Sequence, residues 1–160
     1  MRDVDEMPGH LVRRFQQVAV AVFQAEVGAA GSDLTPVQFA ALAAAQSAPG
    51  IDQKTLAGLI AYDRTTITGV VDRLVYKGFL ERRASAKDRR AHELHVTAEG
   101  DAVLKQIAPA VEAAQTVMLR GLSEDEAGEF LRLLKKAVDA VNDLSRAPMR
   151  ASRTGEDAGK

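Results

Sequence analysis

Two amphipathic stretches separated by only three residues, Ala61-Tyr62-Asp63, and followed at once by a charged hairpin pattern, restrict the folds open to this chain more than any other feature. Asp52 is placed to cap a short helix carrying Leu56, Leu59 and Ile60, and Asp63 to cap another running from Arg64 to Lys77. Gly78 follows where helices commonly end in a left-handed residue. That spacing is the spacing of a helix-turn-helix. Beyond it, Phe79 to Ala84 and Ala91 to Val96 have strand character on either side of a charged turn, Ser85 to Arg90. In the second strand His92, Leu94 and Val96 share one face, and Ala91, Glu93 and His95 the other. A helix-turn-helix continued by a basic hairpin is a winged helix.

The flanks predict further helices. Leu11, Phe15, Val18 and Val22, widened by Ala19 and Phe23, form an apolar stripe from His10 to Val27, ended by Gly28 and the run Gly31-Ser32-Asp33. Thr35 and Pro36 provide an N-cap and a first-turn proline for a helix to about Ser47, stopped by Pro49-Gly50. Thr97 and Gly100 mark a return to helix with the stripe Val103, Ile107, Val111, Ala114 and Met118, which Pro109 is expected to kink or divide. Ser123-Glu124-Asp125-Glu126 is a capping box. The stripe behind it, Phe130, Leu134, Ala137, Val141 and Leu144, has the near-heptad steps of a helix laid along a partner helix. Residues from Ser145 onward are polar, lack periodicity and are expected to be disordered.

Charge distribution separates this chain from an indiscriminate nucleic-acid coat. The net charge is −1, yet Arg64 to Arg90 holds eight basic against three acidic residues, a local +5 that leaves −6 elsewhere. A basic patch on an acidic body suits a site-specific binder. The absence of cysteine removes disulfides, thiolate zinc sites and thiol-based sensing. No apolar run spans a bilayer, and the start MRDVDEMPGH lacks the basic and apolar regions of a secretory signal. The expected compartment is the cytoplasm, without membrane association. No catalytic triad, phosphate loop or zinc-hydrolase motif is present, so neither an enzyme nor a cofactor is expected.

A recognition helix presents its N-terminal residues to base edges, which makes Arg64, Thr65, Thr66 and Thr68 the candidate DNA contacts. Arg bonds guanine bidentately, and Thr meets phosphate, base or a thymine methyl. The bland reading of each threonine is capping or solvation; the cluster beside Gly69 favours DNA. Arg73, two turns on, reads as a phosphate contact or ion-pair partner. Lys87, Arg89 and Arg90 at the hairpin tip suit a narrow minor groove or phosphate, with Asp88 holding a neighbouring arginine in place; a solvated turn is the plain alternative. His92 and His95 point to opposite faces of a strand and so do not predict a metal site. His10 and Arg14, one turn apart, with Phe15 and Phe39 as apolar walls, form a candidate site for a small organic acid; an interface ion pair among ordinary core residues is the competing reading.

From Leu34 to Gly100 the chain resembles the MarR family of bacterial regulators. The resemblance runs through Leu34-Thr35-Pro36-Val37-Gln38-Phe39, Gln53 to Ile60 with Leu56-Ala57, Asp63-Arg64-Thr65-Thr66-Ile67-Thr68 and Asp72-Arg73-Leu74-Val75-Tyr76-Lys77-Gly78-Phe79-Leu80-Glu81-Arg82. It continues in the wing Asp88-Arg89-Arg90 and the exit Leu94-His95-Val96-Thr97-Ala98-Glu99-Gly100. It implies a mainly α fold with a small β-hairpin wing, in which terminal helices intertwine into the dimerisation lobe of a homodimer. On that plan residues 8–33 form an N-terminal dimerisation helix, 34–97 the winged helix-turn-helix lobe, 98–145 the C-terminal dimerisation helices and 146–160 a disordered tail. The resemblance also implies an inverted-repeat operator, Arg90 in the minor groove, Asp88 bracing the wing, and repression relieved by a small molecule. Gly9-His10-Leu11-Val12-Arg13-Arg14 looks like the start of members controlling aromatic or heteroaromatic acid catabolism, which points to such an acid as effector. The peroxide-sensing branch's cysteine and the urate-responsive branch's first-helix tryptophan are both missing. The alternative is a winged-helix protein-interaction module that makes no use of DNA.

Overall fold

The computed structural model describes residues 3–85 and 92–150. The chain runs α1 (Pro8–Ala29), α2 (Pro36–Ser47), β1 (Ile51–Asp52), α3 (Gln53–Leu59), α4 (Arg64–Tyr76), β2 (Leu80–Ala84), β3 (His92–Val96), α5 (Ala98–Met118) and α6 (Glu124–Ala140), with single 3-10 turns at Val4–Glu6 and Asn142–Leu144. It is a mainly helical winged helix with a small antiparallel sheet.

Local chemistry sets the helix starts. Thr35 and Ser123 each complete a reciprocal capping box, with Gln38 and Glu126 respectively. Asp52 and Asp63 accept from the backbone N–H of Thr55 and Thr66 at 2.9 Å. α4 ends as its glycine predicts. Gly78 has φ 75°, the Phe79 N–H reaches the Leu74 carbonyl at 2.9 Å, and the Gly78 N–H reaches Val75 at 2.9 Å. This paired closure is a Schellman motif.

One core joins the helix-turn-helix to the long helices. Ile67, Val71 and Leu74 of α4 are fully buried with Leu42 of α2, Leu56 of α3, Val27 of α1 and Ile107 of α5. Leu80 and Leu94 close it from the sheet. Each such side chain contributes about 1.5–3 kcal/mol by leaving water. α1 lies along α5, and the Gln106 side chain donates to the Ala30 carbonyl at 2.7 Å.

Two features depart from the expectations, and one expectation is narrowed. The sheet has three strands in the order β1-β3-β2, because Ile51 and Asp52 pair with Leu94 and Glu93. Of the two outcomes expected at Pro109, division does not occur: α5 is one continuous helix across this exposed proline. Residues 146–150 are tethered, although they fall in the stretch expected to lack order. Asn142 donates from Nδ2 to the Met149 carbonyl at 2.9 Å and accepts from the Met149 N–H at 2.8 Å, and the Arg150 N–H bonds the Gly58 carbonyl at 2.9 Å.

α6 buries no residue at all. Phe130 meets Phe15 of α1 edge-on, with centroids 5.4 Å apart. Leu131, Leu133 and Val138 stay exposed, as do Val141 and Leu144 just beyond the helix. No helix among the described residues is long and apolar enough to cross a membrane.

Candidate nucleic-acid interface

The outward face of α4 carries every candidate contact assigned to this helix. Arg64, Thr65, Thr66, Thr68, Gly69, Asp72, Arg73 and Tyr76 are exposed, while Ile67, Val70, Val71 and Leu74 anchor the opposite side. A Cβ added at Gly69 would meet nothing within 4 Å, so the middle of this face is open.

The three threonines are not equivalent. Thr66 donates its hydroxyl to Asp63 Oδ2 at 2.8 Å, adding to the backbone cap on Oδ1. Thr68 donates to the Arg64 carbonyl at 2.8 Å and accepts from Gln53 Nε2 at 2.8 Å. Thr65 alone of the three has an uncommitted hydroxyl among the described residues. Capping therefore accounts for Thr66, and helix-to-helix bridging for Thr68. The bonds from the Thr66 N–H and hydroxyl hold the Asp63 carboxyl below its ordinary value of 3.8.

Ion pairing reduces the charge available along the basic segment. Arg82 pairs with Asp72, Arg83 with Glu81, and Lys77 reaches back to Asp33 ahead of α2. Arg73 adds a smaller Coulombic attraction on Asp33. Arg64 has no ion pair among the described residues and is the cation left at the start of α4. Lys87, Asp88, Arg89 and Arg90 lie outside the described residues.

Two side chains to which the sequence assigned no DNA contact also belong to this surface. Gln53, directly after the Asp52 cap, ties the first turn of α3 to Thr68. Tyr76 is 86% exposed at the far end of the same face. A polar residue in the first turn of the leading helix was the available signal for Gln53, but its partner lies fifteen residues on.

The candidate acid site is only partly assembled within one chain. His10 Nε2 lies 3.6 Å from Asp5. Arg14 has no hydrogen bond or ion pair among the described residues, and it lines a surface depression of about 410 Å³ with Leu11, Phe15, Gln17 and Val18. Phe39 is not there. Its ring packs on Phe23 at 5.7 Å, two turns along α1 from Phe15, or about 12 Å at 1.5 Å per residue. In β3, His95 Nε2 lies 3.4 Å from Glu93 while His92 is exposed. No group of three or more metal-ligating side chains occurs among the described residues.

A family model described as the MarR family matches residues 34–92, the segment that runs from the residues just before α2 through α4 and β2 to the first residue of β3. The HTH-type transcriptional repressor NicR of Pseudomonas putida is 31% identical over 138 residues, covering 86% of each chain. This chain belongs to the MarR family. It is thus a transcriptional regulator, not an enzyme. The PcaV transcriptional regulator of Streptomyces coelicolor, solved in complex with its natural ligand, matches with a TM-score of 0.80 and 33% identity over 88% of this chain and 98% of that one. Bordetella bronchiseptica BpsR, whose DNA binding is regulated by 6-hydroxynicotinic acid, matches with a TM-score of 0.81 and 29% identity over 87% and 98%. A cysteine-to-serine mutant of MarR from E. coli, complexed with operator DNA, matches with a TM-score of 0.75 and 27% identity over 81% and 92%.

Proposed function

We propose that this chain is a homodimeric repressor that holds an inverted-repeat operator and is released by a small aromatic or heteroaromatic acid. The first turn of α4 carries this reading: its cap leaves Arg64 and Thr65 exposed and uncommitted beside the open surface at Gly69. In a major groove Arg64 bonds guanine, Thr65 donates to a base or phosphate, and Thr66 and Thr68 offer methyl groups to thymine. Arg73 takes a phosphate. The wing supplies Lys87, Arg89 and Arg90 to the minor groove, braced by Asp88, as the family resemblance implies.

Dimerisation is supported by the apolar residues that one chain leaves in water: Leu11, Val12 and Val18 on α1, and Leu131, Leu133 and Val138 on α6. α1, α5 and α6 then form the dimerisation lobe, with the winged helix between them in sequence. The acid is favoured by Arg14, which has no ion pair among the described residues and lines a depression with Phe15, and by BpsR, whose DNA binding is regulated by a heteroaromatic acid; His10, one turn before Arg14 in the sequence, faces Asp5 within one chain. A carboxylate accepts two parallel bonds from a guanidinium.

Fluorescence anisotropy against duplex DNA from the region upstream of the chain's own gene, with a scrambled duplex alongside, tests the reading. Specific binding that weakens steeply with salt and is released by one acid from an aromatic panel is expected. Binding that no acid relieves would discard the effector. Equal binding to the scrambled duplex would replace the regulator with a protein-docking winged helix.

A further inference from the structure

The segment after α6 returns to the helix-turn-helix. The Asn142 side chain clamps the Met149 backbone from both sides, and the Arg150 N–H closes onto the Gly58 carbonyl at 2.9 Å. Gly58 allows this approach, since a Cβ there would stand 3.3 Å from Arg150 Cβ, closer than an ordinary contact. Between this arm and the first turns of α3 and α4 lies a groove of about 560 Å³, lined by Lys54, Arg64, Arg146 and Arg150 together with Asp63. Both oxygens of Asp63 are committed to Thr66. Among the described residues none of the four cations comes within ion-pair distance of a carboxylate, and Arg146 exerts only a minor Coulombic attraction on Asp63. An open groove with four cations and one carboxylate whose oxygens are already bonded is chemically suited to a polyanion. It opens beside Arg64, the residue placed nearest the bases, and beside the first turn of the leading helix, which crosses the DNA backbone in this class of motif.

We infer that residues 146–150 are an arm of the DNA interface, with Arg146 and Arg150 joining Lys54 to grip the phosphate backbone flanking the bases that Arg64 reads. The inference rests on the operator-binding reading above. The arm contributes affinity without sequence preference, because phosphate contacts position a protein and do not discriminate bases. Each lost phosphate contact reduces the slope of log affinity against log salt by about 0.9.

The test is anisotropy on the same upstream duplex and its scrambled control, across a salt series, for the unaltered full-length protein, Arg64→Ala and the double variant Arg146→Gln/Arg150→Gln. Both arginines are exposed, so thermal melts of the double variant should match the unaltered protein. Expected for the double variant is a salt slope shallower by about 2, roughly equal weakening on both duplexes, and an unchanged operator-to-scrambled ratio. Arg64→Ala should instead lower that ratio. An unchanged slope in the double variant, with the unaltered protein binding specifically, would overturn the arm alone. Tighter binding would also overturn it, making the arm an obstruction to DNA. Failure of the unaltered protein to prefer its operator would overturn the operator reading and the arm with it.

Discussion

An added Cβ on Gly100 would clash with the Phe79 carbonyl oxygen and stand 2.8 Å from Val96 Cγ1. The neighbouring carbonyl is backbone, fixed by the Thr97 N–H at 3.1 Å, and the Thr97 hydroxyl bonds the adjoining Gly78 carbonyl at 2.6 Å. Gly100→Ala is therefore expected to destabilise the fold by about 3 kcal/mol, the upper part of the usual range for overpacking, read from urea unfolding. A loss below about 0.5 kcal/mol would show that the junction yields. Asp63 carries a second residue-scale prediction. Its lowered pKa means that the stabilisation its carboxylate gives the start of α4 is fully present above 3.8 and is lost as pH falls through the lower folded value. A carbon-13 titration of the Asp63 carboxyl should have its midpoint below 3.8, and Thr66→Val, which removes the O–H donor but keeps the N–H, should move it part of the way back. A midpoint at 3.8 or above in the unaltered protein would contradict the cap geometry.

At the scale of elements, α6 is the helix whose own chain accounts least for its sequence. It has a reciprocal cap and a single aromatic contact to α1, yet no buried side chain. If a second copy covers it, Leu133→Glu should convert the dimer to monomers in sedimentation velocity while leaving the winged helix folded by circular dichroism; an intact dimer would move the interface elsewhere. Legibility in the sequence divides along the same line between local and distant causes. Caps at Thr35, Asp52, Asp63 and Ser123, and the left-handed Gly78, could be read directly because cap and partner lie within a few residues. β1 could not, since two residues become a strand only by pairing with Leu94 and Glu93 some forty positions later. Phe39 packs on Phe23 and not beside Phe15, a distinction hidden from periodicity, which shows which face is apolar and not which ring it meets. Capping was legible as one of the two readings of Thr66, whose partner Asp63 is three residues away, whereas the bridge from Gln53 to Thr68 joins two helices and could not be read. The arm at 146–150 has no periodic pattern, and what holds it is backbone hydrogen bonding to Gly58 and Asn142.

Across the whole molecule, the end of α4, the base of the wing and the start of α5 form one rigid junction through Gly78, Phe79, Thr97 and Gly100, while α5 lies along α1. A displacement of α1 therefore reaches the recognition helix through packed elements, without a mobile linker between. Under the proposed mechanism, half-site spacing must match the spacing of the two recognition helices, so a modest shift of them is the expected route to release. Coupling of this kind is reciprocal: an acid that weakens operator binding by some factor must itself bind more weakly, by the same factor, to the operator complex. Arg14 is the cation through which the acid acts in this proposal. Its guanidinium is exposed on α1, far in sequence from α4, so Arg14→Ala should leave operator affinity without acid within about twofold. A lost charge-assisted bond of roughly 1.5–3 kcal/mol should meanwhile raise the acid concentration needed for release at least about tenfold. Titrating acid into free protein and into the operator complex by calorimetry measures both legs of the cycle. If Arg14→Ala instead sediments as a monomer, its charge belongs to the contact between copies, and the acid must act through another group.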